Sequence, residues 1–176
     1  MGTTSVPSGK THDKITVVTA IAAVPVWWWE SATKDWAGLA VGLTAYFFSG
    51  FWLSDDLDTH SISYKRWGAF RWLWWPYQKL VPHRSWVSHG IGFGPIFRVV
   101  YFLVMLWATM RGVLWGLIQV HIPVSRDAVL GSFWGLTTDW TAAHPSWAMC
   151  ALIGLVLGGV THSVADAIVS WAKRVW

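Results

Sequence analysis

Four long apolar runs place the strongest constraint on how this chain can fold. A bilayer is crossed by about 20 mostly apolar residues in an α-helix, at about 1.5 Å of rise per residue. The first run is short, but it approaches that length if its helix includes the polar residues just before it. The pattern therefore predicts four membrane-spanning helices, at about residues 12–29, 36–53, 91–120 and 147–172.

The amino-acid composition also indicates a membrane protein. Hydrophobic residues make up 54% of the 176 residues and charged residues only 12%, whereas a soluble domain carries about 25% charged residues. The 17 Trp are typical of side chains that lie where lipid tails meet headgroups. The net charge of +4 therefore suggests anionic lipid headgroups as partners and does not suggest nucleic acid. The length suits a single membrane domain, residues 1–176.

The segment between the second and third runs, residues 64–82, mixes seven aromatic side chains with the four cations Lys65, Arg66, Arg71 and Lys79. This composition predicts a short helix that lies in the membrane interface and stops at Pro76. A fifth, short span is the alternative, but it would bury all four cations in lipid at a high cost. The predicted fold class is an all-α integral membrane protein with about four transmembrane helices and an interfacial aromatic and basic segment.

Lys and Arg are distributed unequally between the two predicted membrane faces. With four spans, both termini and the segment that contains residues 64–82 lie on one face. Nine cations fall on that face: Lys10, Lys14, Lys65, Arg66, Arg71, Lys79, Arg84, Lys173 and Arg174. Only Lys34 and Arg126 fall on the other face, if the cations inside the third run are left out. Cytoplasmic loops are enriched in Lys and Arg, so both termini are predicted to be cytoplasmic.

His and Asp side chains gather at the same predicted face. Ten of them lie at the ends of the four runs: His12, Asp13, Asp55, Asp56, Asp58, His60, His83, His89, His162 and Asp166. His162 and Asp166 are four residues apart and therefore share one face of a helix. The three close carboxylates at residues 55–58 would repel one another unless a cation neutralises them. Imidazole and carboxylate together suit Zn²⁺, Mn²⁺ or Fe²⁺, so one or two such ions are expected.

Each of these residues receives an expected role. The expected metal ligands are His12, Asp56, Asp58, His83, His89, His162 and Asp166. Asp13, Asp55 and His60 are expected beside them, where they would orient the ligands. One of the three carboxylates, with Asp55 as the catalytic candidate, could act as general base. Arg84 could hold an anionic substrate.

Simpler interpretations exist for some of these groups. The pair at residues 12–13 could only complement a helix dipole, and the carboxylates at residues 55–58 could form a solvated helix end. His121 and His144 fall on the opposite face and are interpreted as ordinary interface residues.

The order of these motifs resembles that of the bacterial membrane-bound metal-dependent hydrolases. It resembles more closely a metal-binding protein family common in cyanobacteria. The matching segments read SGKTHD at 8–13, DDLD at 55–58, YKRWG at 64–68, HRSWVSHG at 83–90 and THSVAD at 161–166. Two features depart from the hydrolase pattern. The spacing from His-Arg to the next His is one residue longer, and Thr59 replaces a His that comes one position later as His60.

The resemblance implies a bacterial inner membrane or a thylakoid-type membrane, and two functional classes stay open. In the first, the chain is a metal-dependent hydrolase that acts on a lipid or amphiphilic ester through metal-activated water. In the second, it is a non-enzymatic accessory subunit of a larger membrane complex, such as a photosynthetic one. Gly154, Gly158 and Gly159 suit the close helix packing that such a subunit would need. A metal carrier is disfavoured because the middle of the first two spans lacks polar residues.

Overall fold

The computed structural model describes residues 9–30, 34–83 and 85–175. In these ranges all regular secondary structure is helical, which confirms the predicted all-α class. The α-helices are α1 Gly9–Glu30, α2 Trp36–Trp52, α3 Ile62–Arg66, α4 Trp75–Leu80, α5 Trp86–His89, α6 Phe93–Gln119, α7 Arg126–Ala143 and α8 Pro145–Val175. Two 3₁₀ helices, Asp55–Asp58 and Gly68–Trp74, connect the short elements between α2 and α4.

Three segments among the described residues are long and apolar enough to cross a membrane. They are Trp36–Asp58, Phe93–Gln119 and Pro145–Ile168, and they coincide with three of the four predicted spans. The first predicted span forms a helix of 22 residues, α1. It is less apolar because its first turns are polar and charged and its end is rich in Trp. Its crossing of the membrane therefore stays a prediction.

The pair formed by α2 and α8 is the centre of the bundle, and glycines let the two backbones touch. A Cβ atom at Gly154 would overlap the carbonyl oxygen of Gly42, and one at Gly158 would overlap that of Tyr46. Small residues four apart on a helix allow this kind of close approach in membrane proteins. The packing agrees with the role suggested for Gly154 and Gly158 by the sequence.

The predicted interfacial segment is more folded than expected. It runs through α3, the second 3₁₀ helix and α4, and it buries Trp74 and Tyr77 against α6. The Tyr101 hydroxyl of α6 donates a hydrogen bond to the Leu73 carbonyl (2.7 Å) and accepts one from the Tyr77 amide (3.1 Å). Aromatic side chains of the segment thus form a core at the end of the bundle.

The predicted helix stop at Pro76 was wrong. Pro76 lies in the first turn of α4, which runs Trp75–Leu80. Proline suits this position because its fixed φ fits a helix and its missing N–H has no partner to bond there. Lys65, Arg71 and Lys79 are exposed on the outside of the segment, as expected for cations in an interface.

Helix α7 was not predicted. None of its residues, all of which the structure describes, is buried. Ser125 caps its first turn by accepting a hydrogen bond from the Ala128 amide (3.3 Å). Its contacts to the rest of the bundle are chiefly to α8, which follows it directly.

Candidate metal centre

Four segments that carry the predicted site residues meet at one end of the bundle. These are the first turns of α1, the 3₁₀ helix Asp55–Asp58, the short helix α5 and the later turns of α8. They meet because α2 and α8 run parallel while α1 runs antiparallel to both, so the start of α1 lies beside the ends of α2 and α8. The convergence expected from the predicted topology is therefore present in the fold.

Two buried imidazoles form the centre of the cluster. The rings of His12 and His162 stack with their centroids 3.8 Å apart and their planes 10° from parallel. Neither ring has a nitrogen that makes a hydrogen bond within the described part of the chain. His12 Nε2 lies 3.1 Å from Asp166 Oδ1, at ion-pair distance but outside hydrogen-bond geometry, and His162 Nε2 lies 3.9 Å from Asp56 Oδ2. Buried polar atoms are nearly always hydrogen-bonded, so these nitrogens need another partner.

The donor atoms come together in two groups of three. The first comprises His12, Asp56 and His162, and the second comprises Asp56, His89 and Asp166; within each group the ligand atoms lie within 4.8 Å of one another. Mixed imidazole and carboxylate donors fit a divalent first-row metal. The structure thus brings together five of the seven predicted ligands. Their role as ligands stays a prediction.

The other two predicted ligands lie beside this cluster. Asp58 Oδ2 is 3.0 Å from His83 Nδ1 and 3.9 Å from His89 Nδ1. The Asp58 carboxylate is fully buried, whereas about half of the His83 side chain is exposed. Ser88 Oγ also lies 2.9 Å from His89 Nδ1. A carboxylate on one ring nitrogen of a histidine orients the other nitrogen for a metal or a proton.

Asp55 lies in a different environment from the one expected for a general base. It forms an ion pair with Arg98 of α6, and both side chains are completely buried. Its second oxygen accepts a hydrogen bond from the Ser163 hydroxyl of α8. Arg98 also donates to the Ser88 carbonyl oxygen. These contacts join α6, α8 and residue 55, and they engage both oxygens of the Asp55 carboxylate.

Arg98 is a site residue that the sequence reasoning missed. An isolated arginine in an apolar run is costly to bury without a partner. That signal could have been used to search for the buried carboxylate, which proves to be Asp55.

The remaining predicted residues lie at the margin of the cluster or far from it. Asp13 pairs with Arg66 of α3, and the exposed His60 packs edge-on against Tyr64. Arg84 lies outside the described residues. His121 follows the far end of α6, and His144 precedes α8, where it stacks on Trp147. The placement of both agrees with their exclusion from the site.

The side chain of Tyr77 is buried and uncharged beside Arg98, Asp55 and Asp58. Burial raises the pKa of Tyr77 to about 12, against a smaller opposing effect of Arg98. The hydroxyl therefore stays protonated at any physiological pH, and the phenol adds no further negative charge near Asp55 and Asp58.

The helical bundle brings buried His and Asp side chains together in groups that could hold a metal ion. Residues 7–176 match the model of the family described as uncharacterized metal-binding protein (DUF2227), and the chain belongs to that family. No curated protein and no solved structure matches the chain. The predicted metal-binding family is confirmed, whereas the likeness to membrane-bound hydrolases and the cyanobacterial association stay predictions.

Proposed function

We propose that the chain is a membrane-embedded metal-binding protein whose cluster hydrolyses a lipid or another amphiphilic ester at the cytoplasmic membrane face. The observation that carries the proposal is the buried stack of His12 and His162, with ring nitrogens that lack hydrogen bonds among the described residues and face Asp56 and Asp166. Membership of a metal-binding family supports it.

The chemistry follows from the residues around the cluster. A bound divalent ion would polarise an ester oxygen and make water acidic enough to react at neutral pH. Asp58 and His83 are better suited to proton transfer than Asp55. The buried Asp58 holds one nitrogen of the half-exposed His83 ring, while Asp55 is engaged by Arg98 and Ser163. His83 is also close to the cluster, since its ring centroid lies 5.8 Å from that of His89.

An amphiphilic substrate fits the surface beside the cluster. Trp86 of α5 stacks on Phe93 of α6, with the ring centroids 4.4 Å apart, and both side chains are exposed. This apolar pair lies on the same short stretch of chain as His89. It offers a place for an acyl chain while the cluster meets the polar head.

Metal analysis of the purified protein tests the proposal directly. Protein purified in detergent without chelator should contain one or two transition-metal ions per chain. The His162→Ala variant should lose at least half of that metal, whereas His60→Ala should keep it, because His60 is exposed and packs on Tyr64. Metal-free wild-type protein that is well folded would contradict the proposal.

Activity requires its own test. Wild-type protein loaded with Mn²⁺ or Zn²⁺ should hydrolyse a fluorescent phospholipid or a long-chain ester in mixed micelles. The His83→Ala variant should keep its metal and lose at least about tenfold in rate, as expected for removal of a general base. A fully active His83→Ala variant would remove His83 from the mechanism, and inactivity towards every amphiphilic ester would contradict the hydrolase.

A second candidate function is an accessory subunit of a larger membrane complex. The observation in its favour is the apolar surface of α6, where Val100, Leu103, Val104 and Trp107 are exposed. Native purification in a mild detergent separates the two functions. Co-migration with a stable set of other proteins would favour the subunit, and a free protein with bound metal would favour the enzyme.

A further inference from the structure

The two donor groups overlap in one residue. Asp56 belongs to both, while His12 and His162 belong to the first group and His89 and Asp166 to the second. The side chain of Asp56 is also about one-fifth exposed, more than those of His12, His162 and Asp166. A carboxylate has two oxygens, so it can serve two neighbouring ions at once.

The distances within the cluster are compatible with two neighbouring centres. Protein nitrogen and oxygen ligands lie about 2.0–2.2 Å from a zinc-sized ion, so two ligands of the same ion are at most about 4.4 Å apart. Each donor group is nearly that compact, with all ligand atoms within 4.8 Å of one another. The groups also adjoin, because His12 Nε2 and Asp166 Oδ1 are only 3.1 Å apart. Ions in two-metal sites lie about 3.5–4 Å apart, which suits two adjoining groups.

Four of the carboxylates around the site divide into two kinds. Asp13 and Asp55 face the guanidinium groups of Arg66 and Arg98. Asp56 and Asp166 instead face imidazoles. Both Asp166 oxygens are buried without a hydrogen-bond partner among the described residues. Bound cations can supply positive charge to this second pair of carboxylates, which no arginine among the described residues faces in an ion pair.

We propose that the cluster holds two divalent ions bridged by Asp56. His12 and His162 bind the first ion, and His89 and Asp166 bind the second. The inference rests on the proposed metal-binding function and deepens it, since a pair of ions can clamp both the attacking and the leaving oxygen of a phosphate ester. It narrows the substrate class to amphiphiles with a phosphate ester.

Titration with Mn²⁺ alone tests the inference on the full chain in detergent. The wild-type protein should take up two Mn²⁺ per chain and give the exchange-coupled electron paramagnetic resonance signal of a bridged pair. His89→Ala and His162→Ala should each retain one ion with an uncoupled signal. Asp56→Asn should lose the coupled signal, and His60→Ala should behave as wild type.

The outcomes separate this inference from the proposed function. Saturation of the wild type at one Mn²⁺ with an uncoupled signal would overturn the pair of ions and leave the metal-binding function standing. Failure of the wild type to bind any Mn²⁺, Zn²⁺ or Fe²⁺ would overturn both. If a variant fails to fold, as judged by circular dichroism and gel filtration, the wild-type stoichiometry and signal still decide.

Discussion

Asp55 and Asp13 each pair with an arginine, but in surroundings that differ greatly. The pair of Asp55 and Arg98 is completely buried, whereas more than a quarter of each side chain is exposed in the pair of Asp13 and Arg66. Asp55→Asn should lower the free energy of unfolding by about 3–5 kcal/mol because it leaves a buried arginine unpaired. Asp13→Asn should cost less than about 1 kcal/mol. Reversible unfolding in mixed micelles measures both values, and equal losses would contradict this assignment.

At the residue scale, the sequence predicts the gathering of His and Asp side chains better than it predicts the contacts that support them. His12, Asp56 and His162 could be grouped because span count and charge placed them on one membrane face. The role of Asp55 could not be predicted in the same way. Three aspartates within four positions look equivalent in sequence, and only packing decides which one meets Arg98 from α6.

At the scale of elements, the crossing of α2 and α8 depends on glycines that let the two backbones touch. Gly158→Ala should destabilise the protein by about 1–3 kcal/mol, the usual cost of overpacking, because the added Cβ would overlap the Tyr46 carbonyl oxygen. Gly116→Ala in α6 is the matched control, since a Cβ there meets nothing within 4 Å. It should stabilise α6 by about 0.5–1 kcal/mol. Thermal unfolding in detergent compares them, and a stabilised Gly158→Ala variant would contradict the close crossing.

The start of α2 is expected to weaken in acid. Asp35 caps this helix by accepting hydrogen bonds from the amides of Ala37 (3.0 Å) and Gly38 (3.1 Å), and it also accepts one from the Trp147 indole of α8. The bond from the Gly38 amide, followed by that from Trp147, lowers the pKa of Asp35 below its ordinary value.

The linkage between proton binding and folding gives the direction in which Asp35 makes stability depend on pH. Because the pKa of Asp35 is lower in the folded protein than in the unfolded chain, its ionised form stabilises the fold at pH values above the unfolded-chain pKa of about 3.9. This stabilisation is lost as the pH falls through the lower pKa of the folded protein. The midpoint temperature of unfolding of the wild type should therefore begin to decrease once the pH is below about 4. It should decrease more steeply with pH than that of Asp35→Asn. Parallel curves for the two proteins would exclude a contribution from Asp35.

Two elements show why local pattern was not enough. Residues 126–143 lie between the third and fourth predicted spans and received no predicted helix, yet they form α7, an exposed helix. Pro76 was interpreted as a helix stop, but the same fixed φ also suits a helix start. A polar segment can be a loop or an exposed helix, and a proline can end a helix or begin one. In both places the packing of the neighbouring elements decides between the two structures.

At the scale of the whole molecule, the main prediction concerns sidedness. In a Cys150→Ser background, cysteines at Lys10 and Lys65 should be labelled from the same side of the membrane, and one at Arg126 from the other side. All three native side chains are exposed, so labelling reports location rather than burial. Labelling of positions 10 and 65 from opposite sides would contradict four spans.

The stack of His12 on His162 has a consequence for biosynthesis. One imidazole belongs to the first described helix and the other to the last. The ribosome makes His12 early, but the stack cannot form until α8 has also been made. If the cluster binds metal as proposed, it can do so only after the helices between α1 and α8 have been made. An ion held in this cluster would tie the first described helix to the last.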